Sequence, residues 1–473
     1  MRNWTLLICV LAAAALALGC GDDNKDEGTP DGGDADSDAD TDADSDTDTD
    51  TDTEIHDDSC AEALPIELGD EAGVEGWINS DGDADHYALE VDEGDFIAIF
   101  TSANPEDDTE MLDTVVSVYN EDGSTLLATG DDSIPRFSTD TELFYRAAES
   151  GTLCLKVEEW SSWAGETPES DSSWKYVLFA LPMDTVNGPN PEAEPNDDLD
   201  NAQEMEFYEP TSSSNTYAFP YGVFDPADDV EVFSYTQPAG NVASHFYFMP
   251  IGPGGSGADA AEGHGSTAEP GLVQLSDGSG NVIASLDASL GSSDMSVPLP
   301  AGAEVALWLQ RPDGATAGAN DFYVIRQLNT DTDNPAEQEA GDNSNDTLAT
   351  AETITISDGS GFILGEIDPA GDVDYFAFDV GSADTLSVAC GAARSGSGLE
   401  SARFAIHDDA DNELQFEVES DAADIWWSDY EGASKPALTV SPDQTYYLRV
   451  SAGGQDPQVS STFYRCGLHP TSE

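Results

Sequence analysis

Apolar residues in this chain fall in short runs that alternate with polar residues, and no long segment shows the 3.6-residue period of an amphipathic helix. Typical runs are residues 96–100, 230–235 and 446–450. Glycine and aspartate separate them, as in Glu93-Gly94-Asp95, which is the chemistry of tight turns. Short strands at this spacing are typical of antiparallel sandwiches and jelly rolls, so the pattern predicts an all-β protein.

One twelve-residue frame occurs three times, at residues 76–87, 222–233 and 365–376. The copies share a first Gly, an apolar third position, Asp or Asn fourth, Asp eighth, an acid tenth and an aromatic twelfth. Their starts are 146 and 143 residues apart, a domain-sized period rather than that of a solenoid repeat. The frame therefore predicts three tandem antiparallel β-sandwich, jelly-roll-like domains.

The domain boundaries follow from the polar stretches between the runs. We expect domains at residues 59–185, 192–329 and 339–469, with linkers at 187–191 and 329–338.

The N-terminus reads as an export signal followed by a tether. Residues 1–19 combine Arg2 with an apolar run too short to cross a bilayer comfortably, which predicts a signal peptide. Residues 20–58 hold 18 acids and one lysine with almost no apolar side chain, so we expect a disordered, extended acidic linker.

The end of the signal, Leu16-Ala17-Leu18-Gly19-Cys20, resembles the lipobox of bacterial lipoproteins, although Ala17 stands where that family usually has Leu, Val or Ile. The resemblance implies cleavage before Cys20, attachment of a diacylglycerol to its thiol, and membrane anchoring through this lipid. Gly21 in place of Asp favours the outer membrane or cell surface. The alternative is ordinary secretion with an unmodified thiol.

Charge narrows the range of partners. The chain carries 97 Asp and Glu against 13 Lys and Arg, a formal net charge of -84, and most of these acids lie beyond the tether. We therefore expect neither nucleic acid nor anionic lipid as a partner, because both would be repelled by the negative charge of the chain. Divalent cations, cationic surfaces or a saline habitat fit better.

Six cysteines sort by position. Cys9 leaves with the signal and Cys20 is the lipid site, which leaves Cys60 and Cys154 in the first domain and Cys390 and Cys466 in the third. Oxidation is permitted in an exported protein, and of the three possible pairings Cys60 with Cys154 and Cys390 with Cys466 keeps both disulfides within domains. A zinc site is the rival interpretation, but no close Cys pair with ligand spacing occurs.

Acidic residues cluster in and ahead of the second frame. Residues 192–197 read Glu-Ala-Glu-Pro-Asn-Asp, and Asp225, Asp228, Asp229 and Glu231 follow. Hard oxygen ligands from two nearby turns suit Ca²⁺, which takes six to eight of them. The alternative is that these aspartates cap turns through their own side chains.

The acidic head, the frame and the later phrases at 150–157 and 443–450 together resemble the bacterial pre-peptidase C-terminal (PPC) domain, a β-sandwich often appended to secreted proteases. The resemblance extends over all three domains. Some members of that family bind calcium through the head and the Asp-rich turn. Carried over by position, this implies calcium as a cofactor, with candidate ligands Glu192, Glu194, Asn196, Asp225 and Asp229 in the second domain and Asn345, Asp368 and Asp372 in the third.

The resemblance is weaker in two places. Asn343 stands where Glu194 would stand, which weakens the third site. In the first domain Ser59-Cys60-Ala61-Glu62 replaces the head, so Asn79, Asp83 and Asp85 have no visible partner segment.

Tryptophans in polar stretches are candidates for stacking on sugar or collagen-like ligands. They are Trp160, Trp163, Trp174, Trp426 and Trp427. Adjacent Trp426 and Trp427 cannot both face one core in an extended strand. The alternative is that one ring packs and the other lies at a domain interface.

Catalysis has no motif to support it. The six histidines, at 56, 86, 245, 264, 407 and 469, are scattered, and neither His-Glu-x-x-His nor Gly-x-Ser-x-Gly occurs. We expect a non-catalytic, lipid-anchored envelope protein that acts as a surface binding or adhesion array toward an extracellular glycan or protein. A structural spacer without a specific ligand is the alternative, and an uncharacterised secreted hydrolase is a weaker one.

Overall fold

The structure is a computed structural model. It describes residues 59–103, 112–134, 138–171, 173–211, 214–226, 229–249, 265–268, 271–287, 294–312, 314–315, 320–330, 345–356, 359–419, 425–427, 435–456 and 458–471. The predicted signal, Cys20 and the acidic tether lie outside these residues. Within them the chain forms thirty strands in six sheets, so the predicted all-β fold is confirmed.

The first sandwich contains ten strands: β1 (Leu64–Ile66), β2 (Val74–Trp77), β3 (Ala84–Val91), β4 (Phe96–Ala103), β5 (Thr114–Asn120), β6 (Leu126–Gly130), β7 (Asp132–Ile134), β8 (Ser138–Arg146), β9 (Gly151–Glu159) and β10 (Lys175–Pro182). One sheet has the order β1-β3-β9-β5-β6 and the other β2-β10-β4-β8-β7. A one-turn helix, α1 (Trp160–Trp163), follows β9, and a 3₁₀ turn (Met183–Thr185) follows β10.

The second sandwich contains β11 (Pro189–Pro191), β12 (Gln203–Glu204), β13 (Thr216–Val223), β14 (Val230–Thr236), β15 (Ala243–Met249), β16 (Leu272–Asp277), β17 (Val282–Asp287), β18 (Asp294–Pro298), β19 (Glu304–Gln310) and β20 (Phe322–Thr330). Its sheets have the orders β12-β14-β19-β16-β17 and β11-β13-β20-β15-β18. Strand β11 lies within the expected linker at 187–191 and pairs in parallel with β13, so this stretch belongs to a sheet.

The third sandwich contains β21 (Glu352–Thr353), β22 (Gly361–Glu366), β23 (Val373–Asp379), β24 (Thr385–Gly391), β25 (Arg403–His407), β26 (Glu413–Val418), β27 (Ile425–Trp427), β28 (Leu438–Thr439), β29 (Thr445–Ser451) and β30 (Phe463–Thr471). One sheet has the order β21-β23-β29-β25-β26; in the other the order is β22-β30-β24-β27, with β28 also on β24. Two 3₁₀ turns, Leu348–Thr350 and Ala393–Ser395, lie between strands.

The strand order repeats from one sandwich to the next. One sheet of each sandwich begins with a short strand that pairs in parallel with the strand after the frame turn: β1 with β3, β12 with β14, and β21 with β23. The other strand pairs of these three sheets are antiparallel. A separate apolar core lies between the two sheets of each sandwich. Alternation accounts for it: Phe376 and Phe378 of β23 point into the third core, while Asp379 at its end is exposed.

Both predicted disulfides are confirmed. Cys60 is bonded to Cys154 of β9, and Cys390 of β24 is bonded to Cys466 of the adjacent β30. Each covalent link therefore closes a loop inside a single sandwich.

A tyrosine, an acid and a glycine meet at the same end of every sandwich. The tyrosine is the second residue of the last long strand, and its hydroxyl donates to the acid at the tenth frame position. The pairs are Tyr176 with Asp85, Tyr323 with Glu231 and Tyr464 with Asp374. The first glycine of the frame clears space for the ring, since a Cβ on Gly76, Gly222 or Gly365 would overlap the tyrosine.

Replacing that glycine should therefore destabilise the fold. We expect Gly76→Ala to lower the free energy of unfolding by about 1–3 kcal/mol because Tyr176 has no room to move. Gly151→Ala in β9 is the matched control, because its Cβ would meet open space. Chemical denaturation of both variants measures the difference, and equal stability of the two would contradict this explanation of the invariant first position of the frame.

The sandwiches pack against each other. A fourth apolar cluster joins Phe100, Phe144 and Phe179 of the first sandwich to Phe219 and Phe322 of the second. Every residue of β20 is buried, because one face of its sheet covers the second core and the other contacts the first sandwich.

Polar contacts cross the same boundaries. Arg326 of β20 forms an ion pair with Glu142 of β8, and Arg146 Nη1 donates to Asn320 Oδ1 over 2.7 Å. Toward the third sandwich, Phe463 joins the second core and Arg465 donates to Ser296 over 2.9 Å.

The buried ion pair makes the first boundary sensitive to charge. Arg326→Met would leave the Glu142 carboxylate in the interface without this cation, so we expect the free energy of unfolding to fall by about 3–5 kcal/mol. Arg403→Met, which removes a partly exposed pair with Glu413, should cost less than about 1 kcal/mol. Urea denaturation of the two variants distinguishes them; a small loss for Arg326→Met would show that the sandwiches do not depend on this contact.

Candidate functional site

The acidic head of the second sandwich comes directly after β11 and folds over the end of its core. Glu192 N donates to the Tyr221 carbonyl oxygen over 2.8 Å, which continues the pairing of β11 with β13. Val232 N donates to the Asn196 carbonyl oxygen over 3.0 Å, which fixes the head against β14. Two backbone contacts thus bring the head to the frame residues Asp229 and Glu231.

Four carboxylates converge there. Glu192, Glu194, Asp229 and Glu231 each place an oxygen within 4.8 Å of the others. Glu194 is exposed, Glu192 is half-buried, and Asp229 and Glu231 are buried, so the group opens to solvent on one side. This group is called the acidic cluster below. None of the ion pairs between described residues supplies it with a cation.

Hydrogen-bond donors satisfy only part of the cluster. Glu192 Oε2 accepts from Val223 N at 2.7 Å, and Glu231 Oε2 accepts from Asn196 Nδ2 at 3.0 Å and from the Tyr323 hydroxyl at 3.1 Å. Glu231 Oε1 and Asn196 Oδ1 are buried with no donor. Both residues are fully buried, so two buried oxygens at this site lack a hydrogen-bond donor.

Burial, together with neighbouring carboxylates, raises the pKa values of three members of the cluster. Burial, together with the charges of Glu194 and Asp229, raises the pKa of Glu192 to about 7. Burial and the charge of Glu194 raise the pKa of Asp229 to about 6. Burial and the charges of Glu192 and Asp229 raise the pKa of Glu231 to about 8. Four carboxylates at this spacing therefore do not all remain charged at neutral pH without a cation.

The donor set fits a hard divalent cation. It offers only oxygens, four of them from carboxylates, and the orphaned Asn196 Oδ1 and Glu231 Oε1 are acceptors that a cation would satisfy. Gly222 leaves room for the Glu192 carboxylate, because a Cβ at this position would overlap Glu192 Oε2. Calcium prefers such carboxylate and amide oxygens, whereas the cluster contains no sulfur or imidazole ligand for a softer metal.

The structure brings together most of the ligands predicted in the second domain. Glu192, Glu194 and Asp229 are in the cluster, and Asn196 contacts it. Asp225 is exposed and contacts the cluster through its backbone N–H, which donates to Asp229 Oδ2 over 3.2 Å. Glu231, not Asp225, supplies the fourth carboxylate of the cluster. The turn-capping role weighed from the sequence thus applies to Asp229, whose carboxylate accepts from backbone N–H groups while also belonging to the cluster.

The sequence placed Glu231 among the clustered acids, but the resemblance did not carry it into the set of candidate ligands, and Tyr323 was missed as its donor. The tenth frame position is acidic in all three copies, and each last long strand has a tyrosine at its second residue. Together these signals point to the pair.

The third domain repeats the backbone arrangement but not the carboxylate group. Tyr375 N donates to the Asn345 carbonyl oxygen over 3.1 Å, as Val232 N does to Asn196. Asn345 and Asp372 are buried, whereas Asp368 is exposed. The part of the chain that the structure describes holds no second group of three or more acid, His or Cys ligands at this spacing.

In the first domain Asp83 Oδ2 accepts from Asn79 N at 3.0 Å, so Asp83 caps its turn, which is the alternative role weighed for such aspartates. Asp85 accepts from Tyr176, whose hydroxyl lies 2.8 Å from that of Tyr87.

Trp427 corrects the stacking prediction. Its ring is fully buried in the third core and its Nε1 donates to Glu417 over 3.1 Å, so it cannot stack on a ligand. Trp426 is in the same strand, but its side chain lies outside the described part of the chain.

Comparisons with known proteins find matches among solved structures alone. No protein-family model matches the chain, and no curated protein does. Among solved structures, it is similar to the pre-peptidase C-terminal domain of collagenase from Bacillus anthracis, at 18% identity over 25% of this chain and 93% of that one, with a TM-score of 0.19. It is also similar to the CUB1-EGF-CUB2 domains of rat MASP-1, at 12% identity over 54% and 97%, with a TM-score of 0.18.

A third match is the tandem CBM51 modules of a family 98 glycoside hydrolase from Streptococcus pneumoniae, at 12% identity over 54% of this chain and 84% of that one, with a TM-score of 0.16. With TM-scores this far below 0.5, the matches decide neither fold nor function. The β-sandwich fold is shown by the paired sheets and apolar cores of this chain.

Protonation of the acidic cluster should stabilise the fold in the absence of metal. Because the folded pKa values of Glu192, Asp229 and Glu231 are raised, the folded state binds more protons than the unfolded state between about pH 4 and 8. In chelator the unfolding midpoint should therefore fall as pH rises through 6 to 8. Glu231→Gln should flatten this fall and raise the midpoint at pH 8.

Asp140→Asn serves as the control, because burial raises the pKa of Asp140 to about 6 at a site away from the acidic cluster. It should change the profile mainly below about pH 6 and leave most of the fall between pH 6 and 8. Thermal unfolding at several pH values measures the effect. A midpoint that rises between pH 6 and 8 in chelator, or an unchanged profile for Glu231→Gln, would contradict the pKa assignment.

Proposed function

We propose that this chain is a non-catalytic, lipid-anchored cell-envelope protein whose β-sandwiches form a surface binding array stabilised by calcium. The observation that carries the proposal is the acidic cluster, in which four carboxylates and two orphaned oxygens meet at the end of a core.

The residues that would hold calcium are Glu192, Glu194, Asp229 and Glu231, with Asn196 Oδ1 as a neutral ligand. When bound, the ion supplies positive charge that offsets the mutual repulsion of the carboxylates. Because the head at 192–196 follows β11 directly, neutralising the cluster would also stabilise the chain segment that joins the first two sandwiches.

Export and anchoring rest on the sequence and agree with the disulfides. Two disulfides favour an oxidising compartment outside the cytoplasm. No helix among the described residues is long and apolar enough to cross a membrane. In this proposal the lipobox-like sequence ending at Cys20 carries the lipid that attaches the chain to the membrane, and the acidic segment at 20–58 holds the sandwiches away from the surface.

Two of the four histidines that the structure describes, His245 and His407, contact side chains of the fold, which supports a non-catalytic role. Burial lowers the pKa of His245 to about 3, so it stays neutral, and its ring nitrogens contact Ser296 and Thr330. His407 Nδ1 contacts Asp411 on the same hairpin. We infer that these two histidines stabilise the fold. The partner that we propose for the binding array is an extracellular glycan or protein.

A second candidate is a structural spacer without a specific ligand. The apolar cluster between the first two sandwiches and the entry of Phe463 into the second core favour it, because packed domains hold a fixed spacing. The two candidates share the calcium site and differ in whether any envelope or extracellular ligand is retained.

Calcium stabilisation has a direct test. We expect calcium at about a hundredfold excess over its Kd to raise the free energy of unfolding by about 2.7 kcal/mol relative to chelator. Glu194→Ala and Asp229→Ala should abolish that rise. The chain from Gly21 to Glu473 is the material, because the first sandwich covers one face of the second.

Glu204→Ala is the control, since it removes an exposed carboxylate from β12 in the same sandwich. It should retain the full response to calcium. A response lost equally in this control, or absent from the unmodified chain, would refute the metal site and leave the spacer as the better account.

A further inference from the structure

The first sandwich exposes three tryptophans at one end. Trp77, Trp160 and Trp163 are 43%, 36% and 46% exposed. Trp77 is the last residue of β2, and Trp160 and Trp163 are the first and last residues of α1, which follows β9. A single exposed apolar side chain is ordinary, whereas a group of exposed aromatic rings indicates an interaction site.

The backbone under two of these rings is fixed by contacts with the sandwich. The Glu159 carboxylate accepts from Ser161 N at 2.9 Å, and Trp160 N donates to the Asp113 carbonyl oxygen over 3.0 Å. Ser161 is the buried residue of α1, so the helix rests on the sandwich there and the tryptophans on either side of it reach solvent. This backbone therefore needs little ordering when a partner binds, which lowers the entropic cost of binding.

The segment after α1 joins the helix to the frame turn that follows Trp77. Glu169 N donates to Ser161 Oγ over 3.0 Å, and Ser170 Oγ donates to Asp81 Oδ1 over 2.7 Å. Asp81 is in the frame turn, four residues after Trp77. The three tryptophans thus belong to segments that contact one another at the same end of the sandwich.

Carboxylates accompany the tryptophans. Asp81 of the frame turn and Glu166 and Glu169 after α1 are exposed, whereas Lys175, which pairs with Trp77 across the sheet, is half-buried. Exposed acids therefore outnumber this base. The site defined by these rings and acids is called the tryptophan end, and it consists of Trp77, Trp160, Trp163, Asp81, Glu166 and Glu169.

Tryptophan rings beside carboxylates suit a cationic partner. A cation binds the face of tryptophan better than that of other aromatic rings, and arginine stacks on a ring while its N–H groups pair with a carboxylate. The net charge of -84 attracts cationic partners over a long range and repels anionic ones. A neutral glycan would also stack on the rings, but it would gain nothing from this charge.

We propose that the tryptophan end binds a Lys- and Arg-rich segment of an extracellular protein. The proposal names the partner class of the binding array, so it rests on the proposed function in that respect. It does not depend on the acidic cluster, which is in the second sandwich.

Fluorine NMR of the chain from Gly21 to Glu473, labelled with 5-fluorotryptophan, tests the site ring by ring. The probe is an octapeptide in which Arg and Gly alternate, titrated to about 1 mM at about 0.15 M salt. The signals of Trp77 and Trp163 should shift and saturate, whereas that of Trp308 in the second sandwich should not move. The same peptide with citrulline in place of arginine should shift none of them, because citrulline is uncharged.

Charge variants separate the site from the general acidity of the chain. Glu166→Gln with Glu169→Gln should raise the Kd, read from the Trp163 signal, at least about threefold. Glu121→Gln with Glu149→Gln is the matched control, because it removes the same charge from two exposed residues. They lie at the other end of the first sandwich, after β5 and before β9, so the control should leave the Kd unchanged.

Three results would overturn the proposal: no shift of Trp77 and Trp163, an equal shift of Trp308, or equal weakening by both pairs of charge variants. Shifts caused by cellohexaose but not by the peptide would also overturn it and would favour a neutral glycan. Glu194→Ala, which should abolish the response to calcium, should leave the shifts intact. Failure of the peptide with an intact calcium response therefore rejects this partner and leaves the calcium site standing.

Discussion

The burial of a carboxylate against a tyrosine hydroxyl is the contact around which each sandwich closes. The acid is the tenth residue of the frame and the tyrosine comes from the last long strand, about 90 residues later. Because the first glycine of the frame makes room for the ring, frame, core and final strand are fixed together. A buried carboxylate is costly unless its oxygens are satisfied, so this end of the fold is the place where extra acids matter most.

The second sandwich carries this arrangement further than its neighbours do. Its head adds Glu192 and Glu194 to Asp229 and Glu231, and although backbone N–H groups, Asn196 and Tyr323 donate to these carboxylates, no cation pairs with them among the described residues. The excess appears as raised pKa values and as orphaned oxygens, two independent signs of missing positive charge. The second sandwich contacts both of its neighbours, since its β20 sheet contacts the first sandwich and Phe463 of the third sandwich enters its core. Stabilising the acidic cluster would therefore stabilise the sandwich on which both neighbours pack.

Much of the fold was predictable because residues close together in the sequence determine where strands and turns form. Alternating runs and turns indicate strands, and the spacing of the frame indicates repeated domains. Long-range contacts were harder to predict: Tyr323 is 92 residues from Glu231, and nothing near Glu231 shows that a hydroxyl will reach it. Asp225 lies in the turn and is exposed, whereas Glu231 lies in β14 and is buried, a difference that the spacing of the acids did not reveal. For Trp426 and Trp427 the sequence left stacking on a ligand and packing of one ring as alternatives, because polar residues surround both; the burial of Trp427 in the third core supports packing for that ring.

The most direct test of the central claim is the number of protons released when calcium binds. Calcium titrated into the chain at pH 7, in two buffers of different ionisation enthalpy, gives that number. Glu192 and Glu231, with pKa values of about 7 and 8, must lose protons to become ligands, so net release is predicted, and Glu231→Gln should reduce it. Calcium binding without proton release, or no binding at all, would contradict the claim that the acidic cluster is a cation site.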